Sequence, residues 1–181
     1  IQSHDVYITD WADAREVPVS QGLFGLDDYI DYLMDWVRLI GPGTHMLAVC
    51  QPSVPALAAT ALMNAAKDPC APASLTMMGG PIDTREGMTE VNRISKERPL
   101  AWFKTFAVHT VPANYPGAGR KVYPGMMQLT AFMSMNFANH VHQHATLARA
   151  IYHDHHDAEH MIKDFYAEYR AVCDMTAEFY I

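Results

Sequence analysis

Three groups of residues in this sequence carry chemistry that packing alone does not demand. They are the cysteine of Ala48-Val49-Cys50-Gln51-Pro52, the aspartate of Pro81-Ile82-Asp83-Thr84-Arg85, and a run in which seven of the ten histidines fall between His140 and His160. Cys50 lies where an apolar run, Thr44 to Val49, gives way to an Ala- and Leu-rich run from Pro52 to Ala66. A nucleophile elbow sits at such a strand-to-helix junction, with its reactive side chain exposed and the next backbone N–H aimed at the developing oxyanion. The positive end of a helix starting just after Cys50 also favours the thiolate, which is the attacking form. The match to G-x-S-x-G is partial, because Ala48 and Pro52 replace both glycines and Cys replaces Ser. A free cysteine buried at a strand end is the competing reading of the position taken alone.

The other two groups read more blandly. Asp83, just past the apolar run Ser74 to Met78, is an alternative acid position in some hydrolases, but a side chain closing its own turn or capping a helix is the expected role. His140/His144 and His156/His160 have the i, i+4 spacing that puts two imidazoles on one helical face, where zinc can be held. Neither pair has the Glu after the first His that a metalloprotease helix needs, and Asp154, Asp157 and Glu159 can pair with protonated imidazoles instead. A solvated helix face or an interface is the reading, and no metal or cofactor is assigned. Cys50, Cys70 and Cys173 show no short metal spacing, and an odd count of three suits a reducing compartment better than a disulfide framework.

Stepping outward from Cys50, three short β-branched or apolar runs read as buried strands: Asp5 to Trp11, Thr44 to Val49 and Ser74 to Met78. Between the first two, Leu26, Tyr29, Ile30, Leu33, Val37 and Ile40 recur at helical spacing, with Asp27 and Asp28 near the positive end and Gly41-Pro42-Gly43 stopping the helix. Between the second and third, Pro52 stands near the first helical position, where its missing N–H costs least. The resulting β-α-β-α-β order implies a parallel sheet covered by helices. From about Glu86 the strand signals stop. Pro99, Pro112, Pro116 and Pro124 cut the chain into short aromatic-rich pieces, and after Pro124 a long helical stretch runs to Ile181. Met126, Met127, Leu129, Phe132, Met133, Met135 and Phe137 make part of it strongly apolar. Packing onto the sheet is the ordinary reading, and a flexible Met-rich surface is the other.

Composition narrows the partners. With 13 Lys and Arg against 20 Asp and Glu, the net charge of -7 gives no footprint for a phosphate backbone, so nucleic acid is not an expected partner. No apolar run reaches the roughly 18 residues of a membrane span, and Ile-Gln-Ser-His-Asp is neither a signal peptide nor an initiator methionine, so the expectation is a cytoplasmic fragment of a longer protein. Three strands followed by a helical block are also fewer strands than such sheets usually carry.

Taken together, DVYITDW, LDDYIDYLMDWV, HMLAVCQPSVPALAA and SLTMMGGPIDTR resemble the bacterial intracellular depolymerases of polyhydroxyalkanoates such as poly(3-hydroxybutyrate). Arg120 to Gly125 followed by Met126 to Asn136 is similar to the lid region of that family. The resemblance implies a partial α/β-hydrolase fold, with residues 1–85 the central core bearing the elbow and 86–181 a mainly helical lid. It implies that Cys50 attacks an ester carbonyl, that Gln51 offers its backbone N–H to the oxyanion, and that the polymer or its granule surface is the partner. The triad acid and histidine of this fold follow late strands that are not readable here, so neither is assigned within the chain, and the loop giving the second oxyanion N–H is expected before Ile1. His45 and His109 are single histidines with no elbow-compatible context. The alternatives are a polyhydroxyalkanoate synthase-like acyltransferase and a non-catalytic His-rich metal- or granule-binding protein.

Overall fold

A computed structural model describes residues 3–87 and 90–181, the side chains of 90 and 91 excepted; the opening Ile1-Gln2 lies outside the described residues. The fold is mixed α/β, and it falls into two compact units: Leu23–Phe103 with the terminal Ile181, and the residues up to Gly22 with Lys104–Tyr180. These limits differ from a division at residue 85, because the N-terminal segment packs with the second half of the chain.

In the first unit, helix α1 (Leu26–Ile40) begins with the Asp28 carboxylate accepting the Gly25 N–H at 2.7 Å and ends at Gly41, whose φ of 104° suits a residue without a Cβ. Strand β1 (His45–Val49), helix α2 (Ser53–Ala65) and strand β2 (Ser74–Met78) follow. The strands pair in parallel, His45 opposite Ser74 and Val49 opposite Met78, with α2 as the crossover. Ala48 of β1 is buried along with Ala56, Ala59 and Met63 of α2, and α1 packs on α2. Arg38 Nε donates to Asp68 at 2.9 Å, tying α1 to the loop after α2. Two short helices, α3 (Glu90–Glu97) and α4 (Leu100–Phe106), come next, separated by Pro99.

In the second unit, strands β3 (His109–Thr110), β4 (Lys121–Tyr123) and β5 (Met175–Thr176) form an antiparallel sheet with β4 in the centre. Helices α5 (Gly125–Met135), α6 (Phe137–Tyr152) and α7 (His156–Tyr169) lie between β4 and β5, and α8 (Ala177–Tyr180) follows. Ala14, Val111 and Val122 form a small buried cluster with Tyr115 against it. The buried Arg120 guanidinium donates to the carbonyls of Val17, Pro18 and Gly22 at 2.8–3.0 Å, and Asp174 accepts the Gly125 N–H at 2.8 Å while Asp13 accepts the Asp174 N–H at 3.2 Å. These bonds fasten the N-terminal segment and the start of α5 to one another.

Three sequence expectations are corrected. Residues 5–11 form no strand: a strand needs a neighbour for its ladder, none pairs with them among the described residues, and Val6, Tyr7 and Ile8 are 55%, 70% and 87% exposed. Strands do occur after Glu86, but at two or three residues each they are too short for an alternating pattern to be read. The helical stretch after Pro124 does not run to Ile181, since it ends at Tyr169 and the chain then enters β5.

Candidate active site

β1 ends at Val49 and α2 begins at Ser53, so Cys50 occupies the tight turn between them. Its φ is 63°, in the left-handed region that a residue with a Cβ seldom adopts. Strain of this kind persists only where the surroundings over-determine it, and it clusters at functional positions. Here the Cys50 N–H donates to Met78 O at 2.7 Å, and the Cys50 carbonyl accepts the Ser53 N–H at 3.0 Å. The residue is therefore held from β2 on one side and from α2 on the other. Its thiol is exposed.

The backbone donors of the turn can be followed one by one. That of Cys50 goes to Met78 of β2, that of Ser53 is used within the turn, and Pro52 has none. Among the described residues no acceptor takes the N–H of Gln51, an exposed residue directly after Cys50. A free N–H on the residue after a nucleophile is what an oxyanion site requires. Ser53 is fully buried, its hydroxyl donating to Ala48 O at 3.3 Å. A Cβ on Gly80 would lie 2.2 Å from Ser53 Cβ and 3.0 Å from Cys50 O, so only glycine fits where the chain leaves β2.

The remaining candidates stand elsewhere. His45 is the only histidine in 23–103 and sits at the opposite end of β1 from Cys50, five residues or about 16 Å away along an extended strand. That exceeds the reach of a hydrogen-bonded base. Its Nδ1 is 2.7 Å from Ser74 Oγ. Asp83 closes its own turn: Oδ1 accepts from the Arg85 N–H at 3.0 Å and Nε at 2.9 Å, and Oδ2 from Nη2 at 2.7 Å. The Arg85 guanidinium, with that N–H, holds its carboxyl below the usual carboxylate range. His109 opens β3 in the other unit. Of the other cysteines, Cys70 is half-buried, and partial burial, with Asp13 adding to it, pushes the Cys173 thiol up.

His140 and His144 share a face of α6, as their spacing requires, but the face packs on α7 and is not solvated as a whole. His140 is buried with Nδ1 2.9 Å from the Tyr166 hydroxyl, and His144 Nδ1 donates to His140 O at 2.8 Å. Glu159 pairs with Lys163 and lies 3.7 Å from His156 Nδ1. Among the described residues no three His, Cys, Asp or Glu side chains are grouped so as to hold a metal ion.

Residues 79–181, more than half of the chain, match the family described as PHB de-polymerase C-terminus. The chain belongs to this family. No curated protein and no solved structure matches the chain. Membership of a PHB depolymerase family supports hydrolytic depolymerisation of PHB as the general activity. The matched range opens at Gly79-Gly80 and contains the whole helical region, whereas Cys50 and Gln51 precede it. No helix among the described residues is long and apolar enough to cross a membrane.

Sequence reasoning missed the packing roles of Ser53, Gly80 and Arg120. The Gly79-Gly80 pair directly after a strand was the available signal for close backbone approach. Arg120 opens the lid-like segment, but nothing in the sequence marks its bonds to carbonyls about a hundred residues earlier.

Proposed function

We propose that this chain carries the nucleophile elbow and lid of a depolymerase that cleaves the ester bonds of intracellular polyhydroxyalkanoate, poly(3-hydroxybutyrate) above all, with Cys50 as nucleophile. The observation that carries the reading is the left-handed backbone of Cys50 at the β1–α2 turn, next to an unbonded Gln51 N–H. The Cys50 thiolate attacks the ester carbonyl carbon. Carbonyl electrons move onto oxygen, where the Gln51 N–H meets them, and their return expels the alcohol end of the polymer and leaves a thioester. Water then adds to the thioester, releasing the hydroxyacid and restoring the thiol.

Among the described residues of 23–103, neither of the two candidate bases serves Cys50, since His45 is out of reach and Asp83 is engaged with Arg85. In this reading residues 1–85 are the core of a partial α/β-hydrolase and 86–181 its lid region, acting at a cytoplasmic granule surface. Within that region α5 buries none of its methionines or phenylalanines, and Met126 and Met135 are 74% and 61% exposed. An apolar helix left open in this way suits a greasy, irregular polymer surface.

The test is Cys50→Ala in the full-length enzyme. Polymer and short-ester hydrolysis fall by several orders of magnitude, while Cys70→Ala and Cys173→Ala retain most activity. Near-wild-type turnover by Cys50→Ala rejects the mechanism.

A further inference from the structure

Between helices α6 and α7 lies a cavity of about 250 Å³, open on one side to solvent, that no step of the proposed reaction uses. Its floor is made by His140, Ile162 and Tyr166, all less than a tenth exposed, and its mouth by the exposed Met161 and Phe165. Asn139 and Gln143 add two carboxamides, one helical turn apart on α6. The Tyr166 hydroxyl holds His140 Nδ1 at 2.9 Å. Among the described residues no buried side-chain nitrogen or oxygen lacks a partner, and nothing bonds His140 Nε2, so this atom is open to a molecule entering the cavity that His140 lines.

We propose that this cavity is a binding site for the ester-linked interior of a short-chain polyhydroxyalkanoate, holding a short stretch of hydroxyacyl units. The inference rests on the polyester reading above and adds a second point of substrate contact to it. The chemistry of the lining selects this ligand. Met161, Ile162 and Phe165 offer apolar surface to the methyl branches and methylenes of such a chain, while the imidazole and the two carboxamides can donate N–H groups to its ester carbonyls. No Lys or Arg lines the cavity. A free hydroxyacid would bring a carboxylate into it without a counter-charge, at a desolvation cost that a neutral ester does not incur. The site therefore retains polymer and releases product. Its size, below the roughly 300–1,000 Å³ of pockets for drug-sized ligands, suits a short piece of chain.

The experiment titrates the protein carrying Cys50→Ala, so that ester is not consumed, with methyl 3-hydroxybutyrate and separately with sodium 3-hydroxybutyrate at pH 7, following the Ile162 methyl resonances. Saturable shifts with the ester are expected, with affinity for the carboxylate at least ten-fold weaker. Met161→Trp, which fills the mouth from an exposed position, should abolish the shifts without moving the thermal midpoint, and Tyr166→Phe, which frees His140 Nδ1, should weaken ester binding several-fold. Absence of saturable shifts, equal affinity for ester and carboxylate, or binding that survives Met161→Trp overturns the proposal. Polymer hydrolysis by the full-length enzyme with Cys50 intact is assayed in parallel. Cys50-dependent hydrolysis without cavity binding rejects this site and leaves the enzymatic reading standing, whereas absence of both rejects the polyester reading itself.

Discussion

Gly80 and Ser53 come so close that a methyl group on Gly80 would stand 2.2 Å from Ser53 Cβ and 2.3 Å from its hydroxyl. The exit of β2 thus bears directly on the first residue of α2, three positions after the proposed nucleophile. The same methyl group would stand 3.0 Å from the Cys50 carbonyl, so Gly80 also limits the room around the β1–α2 turn.

Gly80→Ala should therefore lower stability by about 1–3 kcal/mol, the usual cost of forcing extra volume into a packed site. It should also slow alkylation of Cys50 by displacing the turn. Ser53→Gly removes the atoms that clash, so the double variant should recover part of the loss. Thermal midpoints of the two single variants and the double variant measure the coupling. Simple additivity would show that the two residues do not press on each other.

Acid should weaken the first unit through Asp68. The Cys70 N–H and the Arg38 guanidinium hold this carboxyl below the ordinary aspartate range. A carboxylate depressed on folding stabilises the folded state above its unfolded pKa, near 3.9, and that contribution is lost as pH falls through the lower folded value. Above about pH 5 the contribution should be complete and independent of pH. Asp68→Asn should lower the midpoint at neutral pH and flatten its decline below about pH 4 relative to wild type. Parallel acid limbs for the two proteins would remove Asp68 from the account.

For α5, exposure decides which substitutions are informative. Met127 and Met133 are half-buried, whereas Met126 and Met135 are largely exposed. Lysine at either of the exposed positions should leave the stability within about 0.5 kcal/mol of wild type. Granule hydrolysis should fall at least several-fold, with short soluble esters cleaved at the normal rate. Equal loss on both substrates would mean that α5 does not act by contacting the polymer.

Much of this organisation was legible in the sequence where periodicity and punctuation agreed. The spacing from Leu26 to Ile40 with Gly41 after it marked α1, and Ser74 to Met78, bounded by Pro72 and Gly79, marked β2. Asp5 to Trp11 has the composition of a strand but no ladder partner, and composition cannot report whether a partner exists. β3 and β5 were invisible because two residues carry no period and their partner β4 is distant in sequence. At the site, the junction at Cys50 could be read from the change of pattern. The left-handed φ, the unbonded Gln51 N–H and the approach of Gly80 belong to three-dimensional packing. The histidine spacing placed His140 and His144 on one face correctly, but only the structure turns that face toward Tyr166.

The central claim, that Cys50 is the nucleophile, can be measured on this chain with an ester whose cleavage needs no general base. A p-nitrophenyl ester of 3-hydroxybutyrate has a leaving group that departs without protonation, so the exposed Cys50 side chain can form the thioester unaided. The S–C bond forms, the C–O bond to nitrophenolate breaks, and the thiol proton goes to solvent. After brief exposure at neutral pH, intact-mass spectrometry and peptide mapping should find a single 3-hydroxybutyryl group on Cys50. It should be accompanied by a burst of nitrophenolate approaching one per chain, with little steady turnover afterwards. The adduct should be absent from Cys50→Ala. Acylation of Cys70 or Cys173 in preference to Cys50, or no adduct on Cys50 while the ester is hydrolysed, would contradict the account.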